Sequence, residues 1–476
     1  MNVFTYFKNK GIDTLDPTFY RHIEDWRSWY QSNVRKFHRY KVYRGNGSCV
    51  KCQRHALGMA KRVCEDLADL LLNERVQITL ADETTQKFVE SVLAANNFEE
   101  LGNEYQEWKA ALGTVAYVVY VKNGTADADG NLLGGSIGIN YVEAGNIFPT
   151  SWENKQVSEC IFTFVKMWQR KKYVLFQYHK LEQTDGQRQY VIENTVVENT
   201  TGSGRELTPE QWNEIPHFQG LAPKIQTGTD KPQFIIDRLN IVNNADDDST
   251  NPMGVALFAN ALDVLRKLDL EYDSYANEFS LGRKRIFVAP EFLTTDNGQP
   301  VFDPEDTVFY ELPEDYFKNT KEAMHEVNMD LRVEEHSKAI KDDLNILSSK
   351  CGFGTDRYEF EGGQAKTATE VISENSDMYR SLQKHELILE RVLIQLIQTI
   401  IHVGITIGTP GLNENTEISV SFDDSIIEDK EAERNRDRQD VSMGVMSLAE
   451  YRAKWYGETL EQAQQNLPAQ DGGIIE

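Results

Sequence analysis

Several features that would settle the chemistry at once are missing from this chain of 476 residues. It has no Walker phosphate loop. The one glycine-rich passage that runs into a lysine and a threonine, GFGTDRYEFEGGQAKTATEV at residues 352–371, has Ala365 where that loop needs the glycine before Lys366, and Phe360 where it needs the first glycine. Without both, the backbone N–H groups cannot cradle a nucleotide's phosphates. A membrane-length apolar run is also lacking. The nearest, VLIQLIQTIIHVGITI at 392–407, is short for a bilayer span and carries Gln395, Gln398 and His402, which points to a buried helix. The opening MNVFTYFKNKGIDTLD lacks the apolar core and small-residue cleavage site of a signal peptide, so a cytosolic product is expected.

Cysteine and positive charge are scarce as well. The five cysteines (Cys49, Cys52, Cys64, Cys160, Cys351) are odd in number and unpatterned, as expected of reduced thiols. Cys49, Cys52, His55 and Cys64 offer half of a zinc site, but the second half should repeat a tight pair and does not, so no metal is expected there. Against 75 acidic residues stand 50 basic ones, a formal charge of -25. The average surface repels nucleic acid and anionic membrane alike, which excludes a tight sequence-reading DNA binder. One region runs the other way. Residues 21–62 hold eleven Lys and Arg against Glu24 and Asp25, and RKFHRYKVYR at 35–44 interleaves cations with Phe37, Tyr40 and Tyr43. Such a cluster stacks on bases or grips phosphates in some proteins. In so acidic a chain the favoured reading is a solvated face or a contact to acidic neighbours.

The hydrophobic content, 40%, is ordinary for a protein that buries a core. Residues 18–73 read as helical. From 76 to 232 the chain turns strand-rich, with TVAYVVYVKNG, CIFTFVKMW, YVLFQYHKL and QYVIENTVV separated by turn residues, as in antiparallel strands of an α+β domain. The passage 202–224 reads as loop and contains no nucleophile motif. After ADDDSTNP, apolar residues Val255, Phe258, Leu262, Leu265, Leu268, Tyr272, Tyr275 and Phe279 recur at steps of three and four, predicting a helix over 255–281 capped by Thr250 or Asn251. A β-containing insert at 283–328 and a second helix at 329–349 follow. Thr367 with Glu370 forms a capping box that starts a long helix to about 403. Beyond the strand EISVSFDDSIIED, two polar helices begin with capping boxes at Ser447/Glu450 and Thr459/Gln462. Asp246, Asp247 and Asp248, or Asp423 and Asp424, are the candidates for a Mg²⁺-dependent nuclease, but adjacent aspartates in a turn seldom converge on one ion. Neither an enzyme nor a cofactor is expected.

The order of these pieces is more specific than any one of them. NPMGVALFANALDVLRKLDLEYDSYANEF, GRKRIFV, the KTATEV helix start and the tail VSFDDSIIEDKEAERNRDRQDVSMGVMSLAEYRAKWYGETLEQA together resemble the portal proteins of tailed bacteriophages, most of all those of long-tailed phages of Gram-positive hosts. The resemblance implies a dodecameric ring at one vertex of the capsid, with a channel through which double-stranded DNA is packaged and later ejected. It implies a wing (1–250), a first stem helix (251–281), a clip (282–328), a second stem helix (329–350), a tunnel loop (351–366), a long wing helix (367–405), a closing strand (406–427) and a crown (428–476). The tunnel loop would present Lys350, Gly352, Gly354, Arg357, Glu359, Glu361, Gly362, Gly363 and Lys366 to passing DNA. Arg283, Lys284, Arg285, Asp296 and Asn297 would form the docking face of the clip. The implied partners are the terminase large subunit, a head-completion or adaptor protein, scaffolding protein and major capsid protein, in a virion component assembled in the host cytoplasm. A scaffold or adaptor that passes no DNA is the alternative.

Overall fold

The computed structural model describes residues 2–43, 48–72, 76–126, 132–184, 187–200, 204–281, 285–288, 309–311, 324–327, 330–355, 357–358, 368–422, 430–456 and 460–467. Two helices come first, α1 (Val3–Lys10) and α2 (Pro17–Tyr30). Asn2 accepts from the N–H groups of Phe4 and Thr5, and Asp16 from that of Thr18, so each helix starts on a capped turn. The helical stretch expected over 18–73 is then broken. A hairpin of β1 (Arg39–Tyr43) and β2 (Cys49–Gln53) intervenes before α3 (Met59–Leu71). Arg-Tyr-Lys-Val-Tyr and Cys-Val-Lys-Cys-Gln alternate with period two and are rich in aromatic and β-branched residues, which suits a strand better than a helix.

The strand β3 (Gln77–Leu80) and helices α4 (Glu83–Ala95) and α5 (Phe98–Leu112) lead into β4 (Thr114–Lys122). A short pair, β5 (Thr125–Ala126) and β6 (Leu132–Leu133), precedes β7 (Ser136–Glu143), which runs antiparallel to β4. A meander follows: β8 (Ile147–Glu153), β9 (Gln156–Trp168), β10 (Lys171–Thr184) and β11 (Gln187–Glu198), all antiparallel, with the small strands β12 (Arg205–Glu206) and β13 (Lys224–Gln226) on β11. These are the strands expected from the sequence, longer than their apolar runs. The passage 202–224 is more ordered than its composition suggests. Helix α6 (Pro209–Asn213) starts on a Thr208/Gln211 capping box and inserts Trp212, with Leu207, Ile215 and Phe218, under Tyr173 and Val196 as a second small core. β14 (Phe234–Arg238) then closes the three-stranded sheet on the free edge of β4.

The next helix, α7 (Leu262–Leu281), starts seven residues later than expected. Val255 to Phe258 are buried but not helical, because Gly254 lies so close to the backbone of Gly113 that neither position has room for a Cβ. Asn251 caps no helix. Its side chain accepts from the Met253 N–H at 2.9 Å and donates to Asp246 at 2.7 Å. The insert is a three-stranded sheet of β15 (Arg285–Val288), β16 (Phe309–Glu311) parallel to it and β17 (Met324–Val327) antiparallel. Helix α8 (Val333–Lys350) returns along α7. Then comes α9 (Ala368–Thr406), about 58 Å long at 1.5 Å per residue. By length and composition α9 could cross a membrane, but Leu389, Val392, Leu393, Leu396, Ile397 and Ile400 are fully buried inside the protein. The strand β18 (Ile418–Ser421) pairs with β3, and α10 (Lys430–Ser442), α11 (Leu448–Tyr456) and α12 (Leu460–Gln465) follow. The Ser447/Glu450 capping box forms as expected, at 2.7 and 3.2 Å. Thr459 and Thr367 lie outside the described residues, as does the Glu370 side chain.

A polar cluster sits inside the main core. Lys109 on α5 reaches both carboxylate oxygens of Asp237 on β14 at 3.0 Å, and Gln106 donates to Asp237 and to the Tyr117 hydroxyl at 2.9 Å. Both ends of the ion pair are fully enclosed.

Candidate nucleic-acid interface and helical hairpin

Helices α7 and α8 form an antiparallel hairpin that holds its register through charge. Going outward, Lys350 pairs with Asp263 (3.1 Å), Lys267 with the buried Asp343 (2.8 Å), and Arg332 grips Glu278 with two hydrogen bonds of 3.0 and 2.8 Å. A paired guanidinium favours the ionised form of a carboxyl. Arg332 accordingly holds the Glu278 carboxyl down at about 2. Around these pairs the hairpin leaves Leu270, Phe279, Val333 and Ile346 exposed to solvent. An apolar groove of about 840 Å³ runs past Tyr272, Tyr275, Val333 and Ile340.

The basic β-hairpin is docked on α7. His38 Nε2 meets Asp269 Oδ2 at 2.9 Å, the Leu57 N–H donates to the other oxygen of Asp269, and the His55 N–H donates to Asp273. Arg54 stacks over Phe37 and Tyr40, 4.3 and 5.0 Å from the ring centres. Phe37 and His38 are therefore structural, while Arg35, Lys36, Arg39, Lys41 and Lys51 remain exposed. Residues alternate across a strand, so Arg39, Lys41 and Lys51 share one face with Tyr43, which is 72% exposed. Asp269 and Asp273 were missed by the sequence reading. Their signal is two carboxylates four residues apart beside an apolar stripe, a spacing that places them on one helix face.

The loop after α8 is anchored at its start. Cys351 and Phe353 are buried, and burial pushes the Cys351 thiol up to about 12. Lys350 is held by the Asn260 carbonyl as well as by Asp263. The Tyr358 hydroxyl donates to the buried Asp66 of α3 at 2.8 Å; burial first and Asp66 second push its ionisation up. Arg357 lies 3.8 Å from the same carboxylate, which Arg62 also reaches at 2.9 Å. Gly354 has a φ of +78°. Gly352 sits at φ +85°, with any Cβ directed onto Ser381 Oγ of α9. Gly352→Ala is expected to cost about 2 kcal/mol, from a strained left-handed residue and a forced shift of Ser381, read as a lower denaturation midpoint.

Several of the expected contact residues lie outside the described residues: Glu359, Glu361, Gly362, Gly363 and Lys366 of the loop, and Arg283, Lys284, Asp296 and Asn297 of the insert. The backbone of Arg285 lies in β15, opposite Val327. Two of the aspartates weighed as metal ligands, Asp246 and Asp248, serve the local turn instead. Asp246 accepts from the Asp248 N–H and from Asn251, and Asp248 accepts from the N–H and hydroxyl of Thr250. Asp423 and Asp424 are not among the described residues. Among the residues that are, no group of three His, Cys, Asp or Glu could hold a metal ion.

No curated protein matches the sequence. Among solved structures, a chain from the "Neck of native GTA particle computed with C12 symmetry" is similar over 83% of this chain and 88% of that one, at 11% identity and a TM-score of 0.39. The family model "Phage portal protein, SPP1 Gp6-like" matches residues 10–469, which takes in both halves of the helical hairpin, the insert between them, the loop and the long helix. With nearly the whole chain matched in order, the protein belongs to the phage portal protein family.

Proposed function

We propose that the protein is one subunit of a ring of twelve at a single capsid vertex, through which double-stranded DNA enters and later leaves the head. The observation that carries this reading beyond the family match is the α7/α8 hairpin. It is registered by ion pairs, yet it exposes Leu270, Phe279, Val333 and Ile346 and carries an apolar groove past Tyr272, Tyr275 and Val333, an arrangement that a neighbouring copy would cover. In this reading α7 and α8 are the stem, the sheet of β15 to β17 is the clip, the amino-terminal half with α9 and β18 is the wing, and α10 to α12 belong to the crown. The terminase large subunit and a head-completion or adaptor protein would dock at the clip, with scaffolding and major capsid protein around the outside. The assembled virion component would form in the host cytoplasm.

Within the tunnel loop, 351–366, the residues after Tyr358 run between two anchors, Tyr358 on Asp66 and the start of α9. Because Lys350 and Arg357 already face carboxylates, the segment left to meet DNA is 359–366, where Glu359 and Glu361 repel a phosphate backbone that Lys366 attracts. A conduit needs such weak, mixed contact, since every neutralised phosphate adds affinity that resists sliding.

Two measurements test the proposal together. The purified protein is expected to sediment as a ring near 654 kDa (12 × 54.5 kDa), and a stable monomer at micromolar concentration contradicts the ring. Deletion of 359–363 is expected to leave rings intact by electron microscopy but to empty assembled heads of DNA. Full heads that retain their DNA would show the loop to be a passive connector. A ring lacking an axial opening would favour a scaffold or adaptor.

A further inference from the structure

The carboxy-terminal half of α9 is mostly apolar but carries a polar stripe of Arg391, Gln395, Gln398 and His402, spaced by four, three and four residues and so on one helix face. That stripe does not point into open solvent. It lines a cleft of about 310 Å³ whose opposite wall is β14 with the residues leading into it and whose end is the turn from β8 to β9. From those elements come Arg238, Lys231 and Lys155. Four permanent cations thus line one cleft in a chain of net charge -25, and no acidic residue lines it.

The cations are poorly compensated. Glu414, beyond the lining, accepts from Lys231 at 3.0 Å and meets His402 Nδ1 at 3.1 Å. Asp237 is turned to the other side of its strand, into the buried pair with Lys109. Among the described residues neither the Arg238 nor the Arg391 side chain has a hydrogen-bond or ion-pair partner, and His402 Nε2 is buried without one. Burial first, and the Arg391 charge second, disfavour the protonated Arg238 guanidinium, and the Asp237 charge offsets them only in part. A half-buried guanidinium beside a second one on the wall of a cleft carries a cost that a bound anion would relieve.

We propose that this cleft binds a phosphate group. Planar guanidinium forks match the oxygens of a phosphate with paired, charge-assisted hydrogen bonds, and the glutamine amides of α9 supply further donors on the same wall. A single carboxylate would neutralise only one of four cations, whereas a phosphate brings up to two charges and more acceptors. The phosphate could be free, as the inorganic ion or a mononucleotide, or part of a polynucleotide backbone. The inference rests on the cleft, not on the ring or the loop, so its failure leaves the proposed function standing.

The test is thermal unfolding of the full-length protein in its native assembly, at constant ionic strength, with inorganic phosphate, a mononucleotide or a short DNA duplex, for the native chain and for Arg391→Gln. Arg391 is exposed and its replacement removes a like charge from Arg238, so without ligand the variant is expected to unfold at the same temperature or higher. With inorganic phosphate the native protein is expected to gain stability in proportion to occupancy, and the variant to bind about tenfold more weakly or worse, the loss of one charge-assisted hydrogen bond. Lys41→Gln on the β1/β2 hairpin, which does not line the cleft, should keep the full response to inorganic phosphate. Stabilisation by the duplex alone, lost in Arg391→Gln, identifies the source as backbone phosphate. Stabilisation by phosphate or the mononucleotide identifies a small ligand. An equal response of native and variant proteins, or no response to any of the three, overturns the proposal.

Discussion

Between pH 6 and pH 4.5 the protein is expected to lose stability at a rate approaching 2.7 kcal/mol per pH unit, about 1.36 for each of two histidines. His179 is fully buried and His385 nearly so, and burial pushes both down to about 3, with Lys109 and then Lys384 adding to the effect at His385. The folded values lie below the unfolded value of about 6.5, so the unfolded chain takes up protons first. The stability held by these two groups is therefore complete above about pH 6.5 and is lost as pH falls toward 3. His179 makes the sharper test. Its ring stands edge-on between Phe162 and Phe234, centres 5.4 and 5.5 Å away, and neither nitrogen has a partner among the described residues. His179→Phe should roughly halve the slope of denaturation midpoint against pH without weakening the protein at pH 7.5. An unchanged slope would mean that the imidazole protonates in place.

The second large effect belongs to the enclosed pair of Lys109 and Asp237. Asp237→Ala is expected to destabilise by about 3–5 kcal/mol, because it strands an ammonium with no route to water. Gln106 and Tyr117 lie in the same hydrogen-bond network, and Gln106 loses an acceptor with the carboxylate. Burial lowers the Lys109 pKa against the attraction of Asp237, so the stranded lysine in the variant should titrate lower still and recover part of the loss at high pH. Replacing both residues, Lys109→Met with Asp237→Leu, should come within about 1–2 kcal/mol of the native protein, since the apolar pair avoids both desolvation costs. Chemical denaturation of the two variants side by side decides it; a double variant as weak as the single one would show that the cluster holds β14 on β4 by geometry rather than by charge.

Those two sites also mark where the sequence stops being readable. The strands β4, β9, β10 and β11 and the helix α9 were legible because alternation or a sustained apolar stripe is a local signal. The β1/β2 hairpin was not, because its docking groups are Asp269 and Asp273, more than 200 residues away on α7, and cations among aromatics suit a helix and a strand alike. The start of α7 was misplaced for a similar reason. The apolar spacing continues upstream through Val255 and Phe258, but the close approach of Gly254 to Gly113 rules out helix there. In the loop, GFG looks solvent-exposed, yet Phe353 is buried and Tyr358 is tied to Asp66, nearly 300 positions earlier. The cations of the α9 cleft are drawn from residues 155 to 391 and form no motif at all in the linear chain.

The pairing of β3 with β18 has a consequence for how the polypeptide is made. Ile418 lies opposite Leu80, 338 positions later (418 − 80), and Thr416 and Asn413 add hydrogen bonds to Asp82 and Thr85 at the same seam. At a translation rate of about 5–20 residues per second, a ribosome takes on the order of 20–70 s to deliver the second strand after the first. Through that interval β3 has a bare edge, and the surface of α4 that packs against α9 has nothing to cover it. The nascent subunit thus passes through a long stage in which its amino-terminal part can stick to another unfinished copy, and holding such chains apart is work for the chaperones of the cell that makes them.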